Sequence, residues 1–388
     1  MNRHLSTLSR LVVVASLVAV AACGSGDDEQ AADDVETTDV SASAAPAVET
    51  PVSEPAVSEP PITEAPAEPA AGADWERVAA PADCMCADGS PYSWFVREAD
   101  PTQVLFFLEG GGACFTGDMC APGSETYKQM VGSGVADSPT GIFDLTNPDN
   151  PFADWSMVFV PYCTGDVHAG NLTKDYGNGI VIEHKGFVNA SAALDDTVAR
   201  FAEAGTVVVA GSSAGAFPTP IFGGLIGDLL PNAGVKVIAD SGGAIPDAMS
   251  AVVGNWGTIE SLPDWPEFEG VSPADFNPPF TFAAAARHNP EITFARHDYA
   301  FDDVLSSFAR MAGLSPDDLV NVMKDGETRI EQAGTAVASW IGPGDAHTIL
   351  GRDAMYDEEM NGVRFIDWLR AFLDGTPLAD NYCVDCAG

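Results

Sequence analysis

Gly211-Ser212-Ser213-Ala214-Gly215 follows directly on an apolar, β-branched run, Thr206-Val207-Val208-Val209-Ala210. A strand turned sharply into a helix by G-x-S-x-G holds its central serine in a strained, exposed position, from which the hydroxyl can attack a carbonyl. That chemistry needs a base for the serine proton, an acid to orient the base, and donors for the oxyanion. Leu105 to Ala113 runs a strand-like apolar stretch through Glu109 into Gly110-Gly111-Gly112, whose N–H groups can turn toward a carbonyl oxygen. With the N–H of Ala214, just past the serine, this is the expected oxyanion hole. The base is expected after the nucleophile. Of the 6 His, His4 is in the N-terminal leader, and His168 and His184 precede Ser213. His288 and His297 compete with His347, which sits in Gly342-Pro343-Gly344-Asp345-Ala346-His347, a loop after the last apolar run. The acid is expected in the loop after the preceding strand, which offers Asp298, Asp302 and Asp303; Asp240 ends an earlier strand. Spacing alone leaves these four open, and Asp302 or Asp303 could simply favour a helix N-terminus.

The elements that must position these groups can be read from periodicity. Val104 to Leu108, Met157 to Val160, Thr206 to Ala210, Val235 to Ala239, Ile292 to Ala295 and Ala336 to Ile341 read as buried strands. Between and after them, Ser191 to Ala204, Phe301 to Met311 and Gly362 to Leu373 repeat apolar residues at helical spacing. Strand–helix alternation predicts an α/β fold, a mostly parallel sheet with helices on both faces. Asn255 to Pro279, rich in Pro and Gly with two Trp, reads as a lid or binding loop at the sheet's C-terminal edge, or as a surface insertion.

The N-terminal 73 residues have no such pattern. Arg3, Arg10 and the apolar run Leu11 to Ala19 read as a cleaved export signal over 1–22, too short to span a bilayer. Val20-Ala21-Ala22-Cys23 matches a lipobox, so Cys23 is the expected lipidated first residue of a surface lipoprotein anchored to the membrane. Residues 23–73 are mostly Ala, Pro, Ser, Thr, Glu and Asp with no Lys or Arg, and read as a disordered stalk. About 50 such residues span roughly 40 Å as a coil. Residues 74–388 are then one domain with a substantial core. The formal charge of −40 argues against nucleic acid as a partner. With Cys23 removed, 7 of the 8 Cys remain, so one thiol is expected to be free or to pair outside the chain. Disulfides are expected to tie Cys84 and Cys86 to Cys383 and Cys386, with Cys114 and Cys120 bridging a local loop; zinc binding by the two end pairs is the alternative.

Leu108-Glu109-Gly110-Gly111-Gly112-Ala113-Cys114, Pro161-Tyr162-Cys163-Thr164-Gly165-Asp166, the serine elbow and Asp240-Ser241-Gly242 occur in the order seen in pectin acetylesterase/Notum-type carboxylesterases, and from about Cys84 onward the chain resembles that family. The resemblance implies an α/β-hydrolase that removes acyl esters through a Ser–Asp–His triad. By its motifs the nucleophile is Ser213, the acid Asp302 (with Asp298 next), the base His347, and the oxyanion donors Gly111, Gly112 and Ala214. It implies no metal and no organic cofactor. The chain departs from the family at Ser212, where Cys is usual, and at Phe217, where small residues are usual. The expected activity is release of short acyl groups, acetyl foremost, from a small or polymeric extracellular ester such as a glycan. A non-catalytic envelope-binding lipoprotein and a hydrolase of polyesters or acylated lipids are the rival readings.

Overall fold

The apolar runs fold as strands. The computed structural model describes residues 75–386, apart from 133–134, 136–138, 243–251, 312–314, 316–318 and 385. The expected leader, stalk and Cys23 lie outside the described residues. In chain order the elements begin with β1 (Glu76–Ala79), β2 (Ser93–Arg97), β3 (Asp100–Leu108), α1 (Gly117–Cys120), β4 (Trp155–Val160), β5 (Leu172–Asp175) and β6 (Val181–His184). Then come α2 (Gly186–Arg200), β7 (Thr206–Ser212), α3 (Thr219–Leu229), β8 (Gly234–Asp240), α4 (Pro278–His288), β9 (Thr293–Tyr299) and α5 (Asp303–Met311). The last are α6 (Leu319–Gln332), β10 (Val337–Gly342), α7 (Ala354–Asp357), β11 (Glu359–Met360), β12 (Val363–Arg364), α8 (Phe365–Leu373) and β13 (Asn381–Tyr382).

A 9-stranded sheet pairs them as β1-β2-β4-β3-β7-β8-β9-β10-β13. β2 pairs antiparallel with both β1 and β4, and the other neighbours are parallel. This is the mostly parallel sheet that the alternation predicts, of the α/β-hydrolase type that the resemblance implies. β4 lies on one side of β3, and β7 to β10 lie on the other. Such a reversal of strand order opens a crevice beyond the strands' C-terminal ends, where open α/β sheets bind ligands. Register then fixes what meets there: Leu108 lies opposite Gly211, Ser212 opposite Asp240, and Asp240 opposite His297.

Each central strand sends alternate residues to two cores. Val104, Phe106 and Leu108 join Val207, Val209 and Val237 under α2, α3 and α4. Leu105 and Phe107 join Val208, Ala210 and Ile238 on the face covered by α7 and α8. Burial on both sides is why these strands read as continuous apolar runs, and each large side chain fully buried stabilises by about 1.5–3 kcal/mol.

One expectation is corrected. The disulfides are Cys86–Cys163, Cys114–Cys120 and Cys383–Cys386, with Cys84 free and buried. The chain's two ends cannot be tied together because β1 and β13 are opposite edges of the sheet, roughly 38 Å apart at the usual strand spacing, far beyond a disulfide's reach. The Cys114–Cys120 bridge is as expected. The segment from Asn255 to Pro279 is packed against the body at its two tryptophans. Trp256 is fully buried and donates Nε1–H to the Cys114 carbonyl at 2.8 Å. Trp265 donates to Asp228 at 2.9 Å and stacks on His288 at 4.2 Å.

Candidate active site

The elbow is formed by β7 and the short turn Ser213–Gly215 that leads into α3. Ser213 sits at φ +55°, a left-handed conformation that a non-glycine residue holds only where its surroundings over-determine it. Close approach explains the glycines. A Cβ on Gly215 would lie 2.0 Å from the Leu108 carbonyl oxygen, and one on Gly110 would lie 2.9 Å from Ser213 Cβ. The loop after β3 is thus pressed against the nucleophile candidate.

That loop is braced from three sides. Glu109 accepts the Tyr162 N–H at 2.9 Å and forms an ion pair with Lys128. The Glu109 carbonyl accepts Nε2–H of His168 at 2.8 Å. Burial pushes His168 down to about 4, against the pull of that hydrogen bond, so the ring is neutral at pH 7 and acts as a donor. Farther along, Lys128 N–H bonds the Gly111 carbonyl at 2.8 Å and Ala113 N–H bonds the Thr126 carbonyl at 3.1 Å. The N–H groups of Gly111 and Gly112 take no part in either bond. The N–H of Ala214 opens the turn after Ser213, one of the donors that a helix start leaves without an internal acceptor.

His347 and Asp302 meet. Nδ1 of His347 lies 2.7 Å from Oδ2 of Asp302. The other oxygen of Asp302 accepts the N–H groups of Val304 and Leu305 at 3.0 and 2.9 Å, capping α5. The carboxylate is fully buried, and the imidazole retains 19% exposure. Nε2 of His347 is buried without a hydrogen-bond partner, the Ser213 hydroxyl included; such catalytic bonds commonly tighten only when substrate is bound. Asp298 instead lies 3.1 Å from Arg296, both fully buried, and desolvation lifts its pKa to about 6 against the attraction of that guanidinium. Asp303 leads α5. Asp240 bonds Ser212 and His297. Among the other histidines, His184 bonds the Thr164 carbonyl and the Tyr176 hydroxyl, and His288 bonds Asp228.

Beside the elbow lies a narrow apolar cavity lined by Val167, Ala169, Phe217, Pro218, Ile221, Phe276, Pro278 and Thr281. It has room for about one water. Phe217 closes one side, its ring edge 3.0 Å from where a Cβ on Gly242 would stand. Among the described residues, Cys114, Cys120 and His184 come close enough to share a metal ion, but the two cysteines are joined to each other; Glu327, Glu331 and Asp380 form a second such group.

Two contributors escape a reading by motif. In the sequence His168 is only a histidine ahead of the nucleophile, and its brace on Glu109 needs a fold to be seen. Asp240 stands out as a candidate acid, but its partners depend on the register of three strands.

A model of the pectinacetylesterase family matches residues 75–251, a span that holds the glycine loop and Ser213 and stops short of Asp302 and His347. The chain is similar to palmitoleoyl-protein carboxylesterase notum2 of Xenopus laevis, 32% identical over 137 residues, covering 34% of this chain and 27% of that protein. It is similar to inactive palmitoleoyl-protein carboxylesterase notum1b of Danio rerio, 32% identical over 109 residues, covering 27% of this chain and 76% of that protein. Pectin acetylesterase 4 of Arabidopsis thaliana is 28% identical over 167 residues, covering 41% of this chain and 40% of that protein. The chain thus spans about a quarter of the length of the notum2 it matches.

Proposed function

Because this chain belongs to the pectinacetylesterase family, we propose that it is a serine carboxylic ester hydrolase that releases short acyl groups, acetyl foremost, from an extracellular ester. The observation that carries this reading is the buried Asp302–His347 pair at 2.7 Å, its Nε2 unpartnered, in a fold whose elbow strains Ser213 to φ +55°. Ser213 Oγ attacks the ester carbonyl as His347 Nε2 takes its proton, and Asp302 holds the ring in the tautomer that can accept it. The N–H groups of Gly111, Gly112 and Ala214 receive the oxyanion. His347 then gives the proton to the departing alcohol oxygen. Water, deprotonated by the same ring, frees the carboxylic acid and restores Ser213.

Three disulfides suit an oxidising, exported setting. No helix among the described residues is long and apolar enough to cross a membrane; lipid on Cys23 and the 23–73 stalk would supply the attachment. A second reading, a non-catalytic binding protein, draws on the zebrafish relative that is described as inactive.

One experiment separates the two readings. The full chain is treated with a fluorophosphonate, the adduct is mapped by mass spectrometry, and hydrolysis of acetyl, butyryl and palmitoyl esters is measured alongside. The expected result is an adduct on Ser213, activity that falls with acyl length, and loss of both in a folded Ser213→Ala chain. A folded wild-type protein without adduct or turnover would transfer the case to the binding reading.

A further inference from the structure

Asp240 ends β8 fully buried and takes no part in the Asp302–His347 pair. Its carboxylate collects four donors from three parts of the chain. Oδ2 accepts the Ser212 hydroxyl at 2.7 Å and the Leu350 N–H at 3.0 Å. Oδ1 accepts Nδ1–H of His297 at 3.0 Å. The Ile349 N–H is shared between both oxygens at 3.0 and 3.1 Å. The next residue, Ser241, adds a link of its own, accepting the Thr348 N–H on its hydroxyl at 3.1 Å. Ser212 immediately precedes the nucleophile, and Thr348, Ile349 and Leu350 immediately follow the base. One acidic strand end therefore ties the two together.

Backbone strain collects along the same line. Among the described residues seven non-glycine residues have positive φ, and three of them are Ser213, Ser241 and Thr348, at +55°, +57° and +63°. A β-branched residue such as Thr348 is an outlier there, and such conformations persist only when neighbours fix them on every side. His297 provides the rigid side of the arrangement, with the rings of Tyr299 and Phe365 edge-on at 4.7 and 5.3 Å. Burial works against the ionised carboxylate, but the His297 hydrogen bond and charge, with the other donors, hold Asp240 below the usual carboxylate range. It accepts all of these bonds as an anion.

We propose that Asp240 is a positioning residue that sets the separation of Ser213 and His347, gripping the elbow through Ser212 and the base loop through Ile349 and Leu350. This rests on the esterase reading above. Ser212→Ala cuts the elbow side alone, Ser212→Thr keeps the hydroxyl, and Asp240→Asn weakens both sides.

The test is the rate constant of fluorophosphonate labelling for the full chain and the three variants, at a temperature where melting curves show each one folded, together with kcat and KM for an acetyl ester. Ser212→Ala is expected to label roughly ten- to a hundred-fold more slowly, the scale of a misplaced reacting pair. The loss should fall on kcat with KM unchanged, and Ser212→Thr should recover most of it. If Asp240→Asn does not fold, Ser212→Ala decides. A Ser212→Ala chain that melts earlier but labels at the wild-type rate would overturn the proposal, leaving Asp240 a stabilising group only. Absence of labelling in wild type would strike the reading of Ser213 itself.

Discussion

Asp302 performs two tasks with two oxygens. Oδ1 caps α5 through Val304 and Leu305, and Oδ2 meets His347. The tasks can be separated by substitution because an asparagine oxygen still caps a helix but its amide cannot accept from Nδ1–H. Asp302→Asn is expected to lower kcat by about 10³–10⁴-fold, the scale seen when a triad histidine loses its tautomer, while the melting temperature moves little. Asp302→Ala should lose the same activity and about 1 kcal/mol of stability besides, the usual cost of a missing cap. Paired kinetics and thermal melts check this; wild-type kcat in Asp302→Asn would remove the residue from the triad. At this scale much of the candidate site is legible in the sequence. Ser213, His347 and the glycine run stand out because their chemistry depends on local sequence. The choice between Asp298 and Asp302 does not, since it rests on whether a side chain one strand end away turns toward Arg296 or toward His347.

The elements are legible to different degrees for a related reason. β4, β7, β8, β10 and the second half of β3 are buried on both faces and so write themselves as apolar runs, whereas β9 continues past its apolar start into the buried Arg296, His297 and Asp298. β1, with exposed or half-buried residues, and β13, only two residues long, are short edge strands and carry no such mark. Nor does the sequence show how one loop braces another, as His168 braces the loop after β3. That brace carries a pH signature. The unfolded chain binds a proton on this ring near its ordinary value of 6.5, whereas burial holds the folded ring to about 4. Between these values the unfolded state binds more protons, so stability rises with pH across the window and is lost as pH falls through it. The contribution is about 3 kcal/mol, taking 1.36 kcal/mol per pKa unit. His168→Gln keeps an N–H donor for the Glu109 carbonyl without the titration. Urea unfolding at pH 7, 5.5 and 4.5 should therefore show a smaller acid loss in His168→Gln than in wild type, and an identical loss in both would contradict a neutral, buried His168.

Over the whole molecule, charge is the property that most narrows the choice of substrate. From residue 75 onward 44 acidic residues face 15 basic ones, a formal charge of −29. A field of that sign repels any polyanion approaching the sheet's C-terminal edge, yet leaves a small neutral ester untouched. Family membership alone would point to acetylated polygalacturonate, and the charge opposes it. Salt distinguishes the two influences because the screening length is about 30 Å at 0.01 M ionic strength and about 3 Å at 1 M. KM for an acetylated polygalacturonate is expected to fall several-fold as NaCl rises across that range, with kcat nearly constant. KM for a neutral acetyl ester should stay within about twofold, since salt screens only long-range charge interactions. Measuring both substrates on one preparation controls for any effect of salt on the fold. A polyanion KM that ignores salt would mean that the crevice is shielded from the surface charge, and an acidic polymer would then be as credible a substrate as a neutral one. A steep dependence would instead direct the search toward neutral or cationic acylated glycans.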